Sequence, residues 1–389
     1  MEKTPPTEGY RFDEEKRRVA KQYENVRLTL DAVNGTLIPI VFCIILFLSG
    51  ASNQLARLLG ARYVFGSYWV SLLAYLVVFV IILQIVTLPL GFYSGFVVEH
   101  RFHLSTQTIR GWAADELKGL GVELVFGVLA GTALYYLIGS IRLWWVVAAG
   151  VFAVFTIVIS IILPFVILPI FYKVNPLSDL KLKEDLLQMT NKAGAGNIDR
   201  VLVADESRRS IRANAFFSGV GKSKSIVLFD TLLTSFTHRE IITVVAHELG
   251  HYVNKDIWIE AVTSGLLIIP PFFIADLTLR FAVSTSTLTS LVDPAGFPLI
   301  FGVLMAVNFV LQPISNAISR IVEKKADEFA LKAANDPDAQ ASTERRLADL
   351  SLAVDKPNRL VEVFFYTHPP ASKRIKLAEE WAKQTAGAQ

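Results

Sequence analysis

The sequence predicts an all-α, multi-pass membrane protein that carries a mainly helical polar domain with a small β-sheet on one side of the bilayer. Three observations support this. Of 389 residues, 52% are hydrophobic and only 19% charged, and the mean hydropathy is +0.45, whereas an ordinary soluble domain is about 25% charged. The apolar residues are gathered into runs that approach or exceed the roughly 20 needed to cross a bilayer as helix. All but four of the 38 Lys and Arg fall on one side of the six spans these runs define.

The runs are Leu37 to about Leu55, Ser67 to Tyr93, Leu120 to Gly139, Leu143 to Tyr172, Ile257 to Val283 and Phe297 to Ile318. With the N-terminus inside, only Arg57, Arg62, Arg142 and Arg280 lie outside, and basic flanks are retained in the cytoplasm. This gives a cytoplasmic N-terminal segment over 1–36, with Tyr10 to Leu30 able to lie along the interface, then four spans over 37–172 with an inner loop at 94–119. A cytoplasmic block follows over 173–256, then two spans over 257–318 and a cytoplasmic tail over 319–389. Glu123, Glu260 and Asp276, with Gln84, Asn308, Gln312 and Asn316, fall in or at the ends of spans. Charges facing lipid cost at least about 2.5 kcal/mol, so these groups should meet a wet chamber or each other across helices.

Other classes are excluded by what the chain lacks. A formal charge of +3 distributed by membrane side offers no nucleic-acid surface. The single Cys43 allows neither an internal disulfide nor a cysteine zinc site. The start, MEKTPPTEGYRFDEEKRR, is polar and mixed in charge, unlike a cleavable signal.

In the polar block, Leu180 to Ala193 has helical spacing, Arg200 to Ala204 and Ser225 to Phe229 read as buried strands, and Gly219 to Lys224 reads as a hairpin turn. Thr237 and Glu240 form a capping box that starts a helix over roughly His238 to Asn254. That helix contains His247-Glu248-Leu249-Gly250-His251, an HExxH. Residues four apart share a helix face, so both imidazoles can grip one zinc ion while Glu248 stands beside them to act on water. Catalytic zinc keeps one of its four positions open. The third ligand must come from elsewhere. In IVEKKADEFALKAA, the acids Glu323 and Asp327 also share a face, as a ligand and a carboxylate behind a histidine would, although such a pair taken alone is usually a solvated helix face.

At these residues the sequence resembles the integral-membrane zinc proteases typified by the type I CAAX prenyl protease. HELGHYVNKD is similar to the family's zinc helix and EKKADEFA to its ExxAD block. RSIRANAFFSGVGKSKSIVLFDTLL, HPPASKRI and VVEHRFHLSTQTIRGW resemble three further blocks in the family's order. The resemblance implies a zincin-type domain capping spans that enclose a water-filled chamber. One zinc would be held by His247, His251 and Glu323, with Asp327 behind them and Glu248 as the base. It assigns Asn214, Ala215, Phe216 and Phe217 to an edge strand that binds substrate, and His368, Asn214 and Arg374 to the scissile carbonyl's oxyanion. His100, His103 and His238 are left as structural or solvated. The eukaryotic members have seven spans, and this chain starts at what resembles the linker after their first and lacks their acidic insertion before HExxH.

The expected substrate is a lipidated or apolar membrane-associated peptide, with membrane lipid around the spans and the oligomeric state open. The expected location is a bacterial plasma membrane, or the endoplasmic reticulum in a eukaryote. The alternatives are a quality-control protease of the heat-shock type and a non-catalytic metal-binding scaffold.

Overall fold

The computed structural model describes residues 6–60, 67–162, 168–195, 198–218 and 224–386. Five helices among these are long and apolar enough to cross a membrane: α1 (Glu14–Leu48), α3 (Tyr68–Arg101), α4 (Ile109–Ser140), α8 (Asp256–Ser284) and a fifth within Pro294–Ala334. Between α1 and α3 lies the short α2 (Ala51–Gly60). The predicted fourth span appears as α5, Trp144–Ile162, which is apolar over its 19 residues; residues 163–167 lie outside the described ones. The protein is thus a multi-pass integral membrane protein.

The first span differs from its predicted bounds. A π-helical turn, Val33–Leu37, carries the polar helix that begins at Glu14 into the apolar run without a break. The span ends at Leu48, because Gly50 takes a left-handed conformation at φ 74°, which glycine adopts without a Cβ penalty. The polar part of α1 is tied to the C-terminal tail. The Arg17 guanidinium pairs with the buried Asp349 and donates to the carbonyls of Ala348 and Ala353. Exposed Ile45, Leu48, Ile85, Leu129, Val154 and Val310 form part of an apolar exterior suited to lipid. The membrane core packs Leu72, Leu76, Tyr135, Trp144, Phe272 and Leu279.

The intramembrane polar groups divide between cavities and hydrogen bonds. Gln84, Glu123 and Asn308 line a cavity of about 1050 Å³, while Asn308 and Gln312 line a neighbouring one of about 450 Å³. Asp276 instead accepts from Trp144 Nε1 at 2.7 Å and Arg280 Nε at 2.8 Å, and Asn316 donates to the Phe364 carbonyl at 2.7 Å.

The polar domain holds a four-stranded sheet of β1 (Val174–Pro176), β2 (Arg200–Ala204), β3 (Ala215–Ser218) and β4 (Ser225–Phe229), in the order β1-β2-β4-β3. β2 and β4 are parallel and the other pairs antiparallel, which leaves β3 on an edge. The predicted turn between β3 and β4 falls mostly on residues 219–223, outside the described ones. The sheet packs through Val201, Ile226 and Leu228 on α6 (Leu180–Lys192) and on the apolar side of α7 (His238–Asn254).

Candidate active site

Two helices build the site. α7 starts on the foreseen capping box: Thr237 accepts from the Glu240 amide, and the Glu240 carboxylate accepts from the Thr237 amide at 2.8 Å. It stops where Lys255 turns left-handed at φ 58°. The second is α9 (Phe297–Ala334), 38 residues long, or about 57 Å at 1.5 Å per residue. That is nearly twice the roughly 30 Å hydrocarbon core, so its C-terminal half leaves the bilayer carrying Glu323 and Asp327. The helices meet closely at Gly250, where an added Cβ would stand 3.0 Å from Ala326 Cα and 3.2 Å from the Ala326 carbonyl. A glycine inside the motif therefore sets the approach that brings both halves of the site together.

His247, His251 and Glu323 converge, one ligand atom from each lying within 4.8 Å of the others. His247 Nε2 is 3.2 Å from His251 Nε2 and 3.2 Å from Glu323 Oε2, and His251 Nε2 is 3.5 Å from Glu323 Oε1. The outer ring nitrogens fix the tautomers. His247 Nδ1 meets Asp327 Oδ1 at 2.9 Å and His251 Nδ1 meets Asp256 Oδ2 at 2.8 Å. A carboxylate only accepts, so each Nδ1 carries the proton and each Nε2 is free to present a lone pair inward. Two lone pairs and a carboxylate facing one another call for a positive charge between them. Glu323 Oε2 is buried with no hydrogen-bond partner among the described residues. The 3.2–3.5 Å spacings match the edge of a tetrahedron with bonds of about 2.0–2.1 Å, roughly 3.3 Å, so the group fits an ion of the zinc type.

Without an ion, protons must take its place. Burial disfavours charge on the His247 ring, yet the neighbouring Asp327 and Glu323 carboxylates outweigh it and raise the imidazole to about 10. Burial likewise pushes the Glu323 carboxyl up, but its contacts with His247 and His251 prevail and hold it well below the usual carboxylate range. Glu248 lines a cleft of about 460 Å³ with Asn214, Val244, Leu347, Phe365 and His368. Burial raises its carboxyl against the opposing pull of both histidines.

The other expected residues fall as follows. His368 Nε2 lies 3.2 Å from Glu323 Oε1, with the ring more than half exposed to the cleft. Asn214 lines the cleft, and its Oδ1 accepts from the Ala215 amide at 2.9 Å, leaving the Nδ2 as a donor. Ala215, Phe216 and Phe217 sit on β3, with Phe217 stacked on Tyr252 of α7. Arg374, on α11 (Ala371–Ala386), lines the cleft with its guanidinium already engaged. It donates to both Asp327 oxygens and pairs with Glu344 Oε2 at 2.8 Å. Its geometry is that of a clamp behind His247. His100 lies between the carbonyls of Phe96 and Gln107, and His238 meets Asp185.

Two residues of this arrangement escaped the sequence reading. Asp256 is five positions past His251 but across the left-handed Lys255, which turns it back onto the ring. Glu344 lies on α10 (Pro337–Leu350), a helix whose buried side is largely polar and so shows no apolar stripe.

Residues 176–382 match the model of peptidase family M48, and residues 1–173 match the CAAX prenyl protease N-terminal region of five membrane helices. An uncharacterized metalloprotease of Bacillus subtilis, YhfN, is 30% identical over 93% of this chain and 85% of its own. CAAX prenyl protease 1 of Saccharomyces cerevisiae is 32% identical over 75% of this chain and 68% of its own. The crystal structure of Ste24p from S. mikatae shares the fold, with a TM-score of 0.80 at 24% identity over 96% of this chain and 91% of that one. These matches do not favour the heat-shock or scaffold alternatives. The chain belongs to peptidase family M48 and is an integral-membrane, metal-dependent endopeptidase of the CAAX prenyl protease kind, acting on peptide or protein substrates.

Proposed function

We propose that the metal is a single zinc ion held by His247, His251 and Glu323, and that the enzyme cleaves lipidated or apolar membrane-associated peptides from the cytoplasmic side. One observation carries this reading: two Nε2 atoms and a carboxylate converge with both Nδ1 protons engaged outward, next to the cleft-lining Glu248. Zinc, when bound there, supplies a Lewis acid that lowers the pKa of water from 15.7 toward about 7 and polarises a carbonyl.

The rest falls to the chain's own groups. Glu248 takes a proton from the attacking water and passes it to the leaving amine, for which a carboxyl raised by burial is suited. His368 Nε2–H and Asn214 Nδ2–H donate to the oxygen that gains charge. Arg374 acts behind them, holding Asp327 in place so that Asp327 keeps the His247 tautomer. The β3 edge receives the substrate backbone.

The apolar cavity of about 1050 Å³ inside the membrane half supports an apolar or lipid-bearing substrate. The bias of Lys and Arg supports cytoplasmic placement of 1–36, 173–256 and 319–389 around the spans. The near full-length Bacillus subtilis relative favours a bacterial plasma membrane.

The test is zinc content together with cleavage of a farnesylated CAAX peptide and its unlipidated counterpart by purified protein, with Glu248→Gln as control. Zinc at one per chain and faster cleavage of the lipidated peptide are expected. Zinc-loaded protein that cleaves neither would refute the reading.

A further inference from the structure

The reaction described above needs His368 to hold one ring nitrogen over the metal-binding group, yet its side chain is more than half exposed. Packing alone does not hold such a ring. Its placement has to come from the backbone that carries it.

That backbone hangs from α9. A short helix, Arg359–Phe365, ends just before the segment Tyr366-Thr367-His368, and the last four carbonyls of a helix lack partners within it. Asn316, itself buried, donates its Nδ2 to the Phe364 carbonyl at 2.7 Å. Arg320 Nη1 donates to the Glu362 carbonyl at 3.0 Å and, past the helix end, to the Tyr366 carbonyl at 2.6 Å. Glu323 Oε1 then meets His368 Nε2 at 3.2 Å. Asn316, Arg320 and Glu323 are spaced i, i+4 and i+7, so they share one face of α9. The chain from Phe364 to His368 thus runs alongside the helix from Asn316 to Glu323, about 10 Å at 1.5 Å per residue. The charge of Arg320 is spent on two carbonyls and on no carboxylate among the described residues.

The far side of His368 is tied to the same stripe. Pro369 and Pro370 restrict the residues that precede them, and α11 follows at Ala371 with Arg374 bonded to Asp327 of α9. Thr367 Oγ1 lies 2.9 Å from His368 Nδ1. A hydroxyl that donates there leaves the ring proton on Nε2, the nitrogen facing Glu323. The Tyr366 carbonyl belongs to the planar peptide unit that joins Tyr366 to Thr367, so the bond from Arg320 fixes the plane from which Thr367 and His368 project.

We propose that Arg320 is a positioning residue for catalysis: by holding the Tyr366 carbonyl it sets His368 Nε2 over the metal-binding group. One helix, α9, then carries both the third ligand and the frame of the oxyanion donor. The inference rests on the peptidase reading above and on the role that reading gives His368.

The test is a double-mutant cycle on the purified full chain. Zinc content, melting temperature, kcat and KM are measured for wild type, Arg320→Gln, His368→Ala and the double variant, with the farnesylated CAAX peptide as substrate. Loss of one oxyanion donor costs about 100- to 1000-fold in kcat, and a misplacement of about 1 Å costs about 100-fold. Arg320→Gln should therefore lower kcat by about 10- to 100-fold while zinc content holds and KM changes by less than about threefold. Arg320→Lys, which keeps a donor on a shorter reach, should lose less. With His368 already replaced, Arg320→Gln should lower kcat by less than about twofold, because the group it positions is gone. A residue that only capped the short helix would lower the melting temperature and leave the kcat of the folded protein alone. Should Arg320→Gln fail to fold, Arg320→Lys carries the same cycle. Full kcat in the zinc-loaded variant, or an equal loss with and without His368, would overturn this assignment alone. Unchanged kcat in His368→Ala would overturn it together with the oxyanion role, and wild-type protein that cleaves no peptide would overturn the peptidase reading beneath both.

Discussion

Asp256→Ala isolates one contact of the metal site. Asp256 is 3% exposed, its Oδ2 accepts from His251 Nδ1 at 2.8 Å, and its Oδ1 has no partner among the described residues. The substitution therefore removes one charge-assisted hydrogen bond, worth about 1.5–3 kcal/mol, and frees the ring to adopt the wrong tautomer. Carboxylates behind metal-binding histidines typically account for 10- to 100-fold in affinity, or about 1.4–2.7 kcal/mol, and the two estimates agree. Asp256→Asn keeps an acceptor for Nδ1–H while losing the charge, so its loss should be smaller. The assay is competition for zinc with a chromophoric chelator in detergent, with melting curves run in parallel, since an acid in the first turn of α8 adds only about 0.3–1 kcal/mol of helix stabilisation. If Asp256→Ala bound zinc as tightly as wild type, the tautomer argument for the whole site would fail.

Four other outcomes follow from the same geometry. Glu248→Gln should keep zinc and lose at least about 100-fold in turnover; full activity in a zinc-loaded variant would remove Glu248 from the base role. Gly250→Val should push α7 off Ala326, lowering zinc content and stability together by about 1–3 kcal/mol, read by metal analysis and melting; unchanged zinc binding would show that the close approach is not needed. In the ion-free protein His247 titrates near 10, above its ordinary 6.5, so it is protonated at pH 7 and an incoming ion must displace that proton. Zinc affinity should then rise with pH, up to about tenfold per unit per proton released, and calorimetry in buffers of different ionisation heat should register the release; pH-independent affinity would contradict it. Arg17→Ala leaves Asp349 buried without its guanidinium and should cost about 3–5 kcal/mol, seen as a lowered melting temperature; an unshifted melt would mean α1 is not a brace for the tail.

Much of the fold was legible because lipid imposes simple rules. Runs of about 20 apolar residues had to be helices, and the HExxH pair could be placed on one face from helical spacing alone, with its capping box read correctly at Thr237 and Glu240. Span limits were less legible. Nothing in the composition of Glu14 to Ala32 signals that it continues into the membrane, since a π-helical turn and not a polar break joins the two parts. Glu323 stood out by its four-residue spacing from Asp327 and was implied as the third ligand by the resemblance, but nothing in the sequence fixes how closely its helix approaches α7; the cause is the small residue at 250 facing Ala326. Asp256 was hidden by one left-handed residue, and Glu344 by a helix that buries Gln340, Thr343, Arg346 and Asp349 in a polar core. Arg374 was expected at the oxyanion, and nothing in the sequence signals that it is clamped between Asp327 and Glu344.

The most direct test is X-ray absorption at the zinc edge on purified protein, with metal content measured beside it for wild type and Glu323→Gln. One zinc per chain, with two imidazoles, oxygen donors at about 2.0–2.1 Å and a marked loss of metal in the variant, is the predicted result. Absence of bound metal, sulfur in the first shell, or full zinc retention without Glu323 would contradict it.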